Sequence, residues 1–196
     1  MSDLIPDDFA ALIFDCDGTL ANTAPLHYQS MAGALRNQGY SISREWYDAR
    51  VGLSRQDLFR DYEACFKVSV DIAAASRRSQ EIFAELAHQA KPIDRILAIA
   101  RKHAGTVPMA VASGGDRDLV HATLAAIGAR DLFDQVVTVS DVFQGKPAPD
   151  LFLEAAKRLR VRPAECLVFE DSDEGLEAAR RASMKAVDVR MGNIAG

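Results

Sequence analysis

Asp15 and Asp17 stand one residue apart at the end of the apolar run Leu12-Ile13-Phe14, and Gly18 and Thr19 follow them. Two carboxylates held this close repel one another, so keeping both ionised calls for a cation, and hard oxygen ligands suit magnesium. Three other polar groups have the same placement just beyond an apolar segment: Ser113-Gly114-Gly115, Lys146 before Pro147, and Glu170-Asp171. Each residue type suits phosphoryl transfer. A carboxylate such as Asp15 can attack phosphorus and divide one difficult displacement into two easier ones. Asp17 can protonate the leaving oxygen and then take a proton from the incoming nucleophile. Asp15, Asp17, Glu170 and Asp171 offer oxygen ligands to a magnesium ion, and Lys146 adds positive charge. Ser113 and the backbone N–H groups of the turn after it, Gly114 included, can donate to the remaining phosphoryl oxygens. Asp and Gly also dominate ordinary turns. What favours a site is the coincidence of four such groups.

Groups this far apart in the chain can meet only if the elements bring them together. Apolar strands are expected at residues 12–14, 109–112, 136–139, 167–169 and 186–189, with helical stripes between them. Ile93, Ile96, Leu97 and Ala100 make one stripe; Val120, Thr123, Leu124 and Ile127 make another, closed by Gly128. Phe152, Ala155, Ala156 and Leu159 make a third, and a fourth helix is expected from about Glu174 to Ala182. Alternating strands and helices predict a parallel sheet covered on both faces, whose carboxyl ends share one edge. From Thr23 to Lys91 the signals are helical, with no convincing strand. Tyr28, Met31, Ala32 and Leu35 form one stripe and Leu58, Tyr62, Cys65 and Phe66 a second, with a longer helix over 71–90. The expected fold class is α/β: a three-layer, Rossmann-like parallel sheet (core 1–22 and 92–196) with an inserted α-helical cap domain (23–91).

At 196 residues the chain can bury one substantial core with an insertion, and 48% hydrophobic with 26% charged residues is ordinary globular composition. A net charge of −5 argues against nucleic acid as a partner, though a local metal and a few cations can still govern one cleft. Cys16, Cys65 and Cys166 form no CxxC pair, which fits reduced thiols in the cytoplasm. Residues 1–8 carry three acids and a proline rather than signal-peptide features, and no apolar run reaches membrane-spanning length. A cytoplasmic monomer acting on a small phosphorylated metabolite, with no membrane partner, is the expectation.

Asp15-Cys16-Asp17-Gly18-Thr19, Ser113, Lys146 before Pro147, and Glu170-Asp171 with Gly175 together resemble the haloacid dehalogenase superfamily of phosphohydrolases. The four motifs keep that family's order and spacing over nearly the whole chain. The helical insertion resembles the cap of the β-phosphoglucomutase-like subgroup, which includes sugar phosphatases such as fructose-1-phosphatase. The resemblance implies that Asp15 is the nucleophile, Asp17 the general acid and base, and Asp171 a metal ligand. It implies the Asp17 main-chain carbonyl as a second ligand and Glu170 as a further one. Thr23 and His27, with Gly52-Leu53-Ser54-Arg55, resemble cap segments that face the active site, so Thr23, His27 and Arg55 are expected substrate contacts, Arg55 through its guanidinium fork. Dehalogenases and phosphonatases of the family generally lack an aspartate at the Asp17 position, and halide displacement needs no proton; Asp17 therefore favours a phosphate ester.

The lysine with which the mutases grip phosphate has at best Arg77 or Arg78 near its place, a departure from the mutase pattern. The expected function is a magnesium-dependent phosphatase of a small metabolite, a sugar phosphate, working through an aspartyl phosphate. A sugar-phosphate mutase is the alternative, and a non-catalytic binding protein the third reading. Trp46 is expected in the cap core and His88, His103 and His121 at the surface. Cys16 is expected to be packed, or oxidation-sensitive if accessible.

Overall fold

A computed structural model describes residues 9–191 and 193–195. Its strands are β1 (Ala11–Phe14), β2 (Ala21–Asn22), β3 (Lys91–Pro92), β4 (Met109–Ser113), β5 (Gln135–Thr138), β6 (Cys166–Glu170), β7 (Lys185–Asp188) and β8 (Asn193–Ala195). Its helices are α1 (Ala24–Arg36), α2 (Arg44–Asp48), α3 (Arg55–Phe66), α4 (Ile72–Leu86), α5 (Asp94–His103), α6 (Arg117–Ala126), α7 (Asp150–Leu159) and α8 (Asp173–Arg181). The chain divides into two compact units, Thr23–Gln89 and the remainder. Among the described residues no helix is long and apolar enough to cross a membrane.

In the sheet unit the strand order is β5-β4-β1-β6-β7-β8, parallel throughout except for the antiparallel edge strand β8. The chain leaves β1 for β4 and β5 on one side and then returns to β6 and β7 on the other. Strand order therefore reverses at β1, where open α/β sheets keep their ligands. Ala11, Ile13, Ala110, Ala112, Val137 and Val168 on one face pack with Phe152 and Ala155 of α7 and Ala178 and Ala179 of α8. On the other face Leu12, Phe14, Met109, Val111 and Phe169 are equally buried, and Phe14 stacks on Phe169 with ring centroids 4.7 Å apart. Cover on both faces lets these strands be apolar at every position, which is why they read as unbroken runs.

Two details differ from the sequence reading. Lys91, expected as the last residue of the helical block, lies instead in strand β3, paired antiparallel with β2, so Ala90 and Lys91 belong with the sheet unit. Strand β8 also lies beyond the last strand expected. Strands of two or three residues carry no readable periodicity.

The helical unit holds α1 to α4, with Ser43, Ser54 and Asp71 each accepting a backbone N–H at a helix start. Its core includes Met31, Leu35, Ile42, Tyr47, Leu58, Phe59 and Tyr62, with Trp46 half-buried against it. Cys65 and Phe66, read from the sequence as part of the buried stripe, are exposed, whereas Phe59 is fully buried. Leu58, Phe59 and Tyr62 of α3 face the core, and Phe66 in its last turn lies at the core's edge, against the Tyr62 and Trp46 rings.

Candidate active site

Asp15 is the first residue past β1. Its N–H donates to the Phe169 carbonyl at 3.0 Å, which completes the pairing of Phe14 with Phe169 and places Asp15 and Glu170 next in line on the two neighbouring strands. The chain then turns back on itself, the N–H groups of Leu20 and Ala21 both donating to the Cys16 carbonyl. Gly18 makes this possible. Its φ of +88° is left-handed, and a β-carbon there would lie 2.0 Å from Asp171 Oδ2. Gly175, in the first turn of α8, is as tightly placed: a β-carbon would lie 2.0 Å from Glu170 Cδ. Both glycines admit a carboxylate where any side chain would stand.

Lys146 Nζ donates to Asp15 Oδ1 at 2.5 Å and to Glu170 Oε2 at 2.7 Å. The three side chains are 10%, 7% and 2% exposed, respectively, so the contacts are formed almost out of water. Glu170 Oε1 also accepts from the Ser172 hydroxyl and from the N–H groups of Asp171 and Ser172, at 2.7, 3.2 and 3.1 Å. Asp171 Oδ1 accepts from the buried Thr19 hydroxyl at 3.0 Å. On the other side, a β-carbon on Gly115 would lie 3.3 Å from Ser113 Oγ and 3.6 Å from Asp17 Oδ2, so Asp17 and Ser113 flank the turn after β4. The Gly115 N–H donates to Ser113 Oγ at 3.0 Å.

Burial, and then the neighbouring Glu170, push the Asp15 carboxyl well above its usual range, with Lys146 opposing. Asp171 is pushed up to about 6, again by burial first and Glu170 second, against the Thr19 hydrogen bond. Burial works against the Lys146 ammonium, but Asp15 and Glu170 more than offset it and hold its pKa above the ordinary value. Three carboxylates thus face one ammonium, with ligand oxygens of Asp15, Glu170 and Asp171 all within 4.8 Å of one another. Clustered hard oxygens with an excess of negative charge fit a divalent cation such as magnesium. Cys16 between the two acids is fully buried, and burial followed by Asp17 and Asp15 raises its thiol pKa, so it is neither accessible nor a thiolate.

The edge of the sheet therefore carries Asp15, Asp17, Ser113, Lys146, Glu170 and Asp171, with Gly114 exposed in the turn after Ser113. Thr23, His27 and Arg55 lie in the helical unit. Thr23 is buried at the start of α1, His27 on that helix rests against Phe83 at 4.5 Å, and half-buried Arg55 opens α3 behind its Ser54 cap. Arg78 pairs with Glu81 and Glu85 along its own helix at 2.9 and 3.3 Å. Sequence reasoning gave no part to Ser172, whose hydroxyl donates to Glu170 and accepts the Gly175 N–H at 3.0 Å as the cap of α8. A serine three residues before the first-turn glycine was a readable cap signal; its hold on Glu170 was not.

Residues 12–189 match the family model described as haloacid dehalogenase-like hydrolase. Over 187 residues the chain is 36% identical to fructose-1-phosphate phosphatase YqaB of Escherichia coli, a match covering 93% of this chain and 97% of that one. It is 34% identical over 198 residues to protein CbbY of Rhodobacter capsulatus, covering 92% and 85% of the two chains. The crystal structure of CbbY from Rhodobacter sphaeroides in complex with phosphate is similar with a TM-score of 0.79 at 25% identity, covering 91% of this chain and 84% of that one.

Proposed function

The chain belongs to the haloacid dehalogenase-like hydrolases and is a phosphatase of that family, and from this premise we propose that it hydrolyses a small sugar phosphate with magnesium through a phosphorylated Asp15. The observation that carries the reading is the buried lysine shared by Asp15 and Glu170 beside Asp171. Lys146 leaves one Asp15 oxygen to attack while its charge lowers the repulsion met by an incoming phosphate. The Asp15 oxygen forms a bond to phosphorus as the ester oxygen leaves with a proton from Asp17. Asp17 then takes a proton from water, whose oxygen attacks the same phosphorus and releases inorganic phosphate and the free Asp15 carboxylate. Ser113 and the N–H groups of the turn after it, Gly114 among them, donate to the phosphoryl oxygens.

Asp15, Asp171 and the main-chain carbonyl of Asp17 would hold the magnesium ion, which supplies positive charge against the carboxylates and the phosphoryl group. Glu170 was expected as a direct ligand, but its two oxygens already accept four hydrogen bonds among the described residues. Its proposed part is to fix Lys146 and the Asp171 backbone. The sugar-phosphate assignment rests on fructose-1-phosphate phosphatase as a relative. Residues 23–89 are proposed as the cap that selects the ester, through Arg55, His27 and Thr23. The arginines near the place of the mutases' phosphate-gripping lysine are Arg77 and Arg78, and Arg78 is held by two glutamates; the missing lysine favours hydrolysis over mutase chemistry.

The test is phosphate release from a panel of sugar phosphates, with magnesium and with a chelator, by wild type and Asp15→Asn. Turnover that requires magnesium and is lost in a folded Asp15→Asn protein is the expected outcome. Undiminished turnover by Asp15→Asn would refute the covalent step, and conversion of glucose 1-phosphate to glucose 6-phosphate without phosphate release would replace the hydrolase by a mutase.

A further inference from the structure

The loop that delivers Lys146 begins where β5 ends, and its start is gathered round one carboxylate. Asp141 Oδ2 accepts from the Thr138 N–H at 2.9 Å and the Thr138 hydroxyl at 3.0 Å. Its Oδ1 accepts from Arg117 and from Arg158, each at 2.7 Å. The Asp141 side chain is only 7% exposed, although Phe143 two residues later is 95% exposed. Burial alone would raise its pKa, but the hydrogen bonds from Arg158, the Thr138 N–H and Arg117 outweigh burial and hold it well below the usual carboxylate range. Near neutral pH it is an anion.

Its donors come from three elements. Thr138 ends β5 and is the register partner of Ser113 at the end of β4. Arg117 opens α6, separated from the Ser113-Gly114-Gly115 turn only by Asp116. Arg158 sits near the end of α7, tied also to Glu154 at 2.9 Å and to the Val136 carbonyl at 3.3 Å. The same helix places the Phe152 ring with its centroid 5.1 Å from Lys146 Nζ. A single anion thus fastens the turn after Ser113 to the loop that carries Lys146.

We propose that Asp141 is a positioning residue for phosphoryl transfer, fixing the spacing between the Ser113 turn and the Lys146 loop so that their donors match the transition state. The inference rests on the phosphatase reading above. Groups aimed at charge that develops only during reaction act on kcat, and a shift of about 1 Å in such a group can cost up to about 100-fold. Ground-state binding of the ester depends far less on that spacing.

The experiment compares wild type, Asp141→Asn and Arg117→Gln as magnesium-loaded enzymes. It measures kcat and KM, with inhibition constants for orthovanadate, which mimics the five-coordinate transition state, and for inorganic phosphate. The ratio of the two inhibition constants does not depend on the fraction of protein that is folded. Asn keeps the size of Asp141 but sets an amide against donors, while Arg117→Gln removes only the tie to α6 at a half-exposed arginine. Asp141→Asn is expected to lower kcat and weaken vanadate inhibition about tenfold each, with KM and phosphate inhibition within about twofold. Arg117→Gln should move the ratio the same way by less. A vanadate-to-phosphate ratio unchanged in both variants overturns the proposal, whatever happens to thermal stability, and if Asp141→Asn does not fold, the ratio in Arg117→Gln decides. Wild type that releases no phosphate would bring down the underlying phosphatase reading, whereas active wild type with an unmoved ratio would bring down this inference alone.

Discussion

In the helical unit Arg44 meets Asp48 at 2.7 Å, Arg60 meets Asp57 at 2.9 Å and Arg78 meets Glu81 at 2.9 Å, with side chains between 36% and 61% exposed. In the sheet unit Lys146 meets Asp15 and Glu170 at similar distances, with all three side chains at or below 10%. Distance does not separate these pairs; water does. Around the exposed pairs each charge keeps solvent as an alternative partner, so the gain from pairing is small. Around Lys146 no such alternative exists, and each group depends on the others to remain charged. A cluster of that kind is costly to keep for stability alone, which is why its place at the strand ends points to chemistry.

The largest effect should come from breaking the buried cluster at its cation. Lys146→Met leaves Asp15 and Glu170 buried without their ammonium; in chelator it should lower unfolding stability by about 3–5 kcal/mol, and with magnesium present it should abolish phosphate release. Adding Glu170→Gln to Lys146→Met should restore part of that stability, since the repulsion between Glu170 and Asp15 is then gone. Urea midpoints that do not change in the single variant would show that water reaches the cluster and that the contrast between the two regions is false.

A second test sharpens the contrast through pH. The folded pKa of Asp141 is depressed relative to an unfolded value near about 3.9, so its stabilising contribution is complete above the unfolded value and disappears as pH falls through the folded one. Wild type should therefore exceed Asp141→Asn in stability at about pH 6, and the gap should shrink toward about pH 3. A gap that widens on acidification would mean that the arginines do not hold this carboxylate in its charged form.

The same contrast explains what could be read from the chain. β1, β4 and β6 are apolar along their whole length because both faces are covered, and each ends in a polar residue or pair, so Asp15, Ser113 and Glu170-Asp171 stand out in one dimension. The two-residue strands β2 and β3 leave no such trace. Nor do roles set by distant donors: nothing near Glu170 in the sequence says that its oxygens are filled by Lys146 and Ser172, and nothing near Asp141 announces Arg117 and Arg158. Phe59 was missed for a related reason. Which stripe of α3 is buried is decided by where the helix meets its neighbours, and sequence spacing favoured Cys65 and Phe66 equally well.

The smallest effect belongs to the exposed side of the comparison. Arg44 and Asp48 are spaced i, i+4 on α2, and their Nε–Oδ1 contact of 2.7 Å is as short as that between Lys146 and Glu170 in the buried cluster. Arg44 also lies over the Tyr28 ring at 5.1 Å, so its truncation removes a little packing as well as a charge. Asp48→Ala, which leaves that ring contact in place, should change unfolding stability by no more than about 0.5 kcal/mol, and less in high salt. Arg44→Ala should cost slightly more by the ring contact alone, with kcat unchanged in both. A loss for Asp48→Ala approaching that of Lys146→Met, measured in the same urea series, would mean that short charge contacts in this protein are worth the same wherever they lie, and burial would no longer single out the cluster at the strand ends.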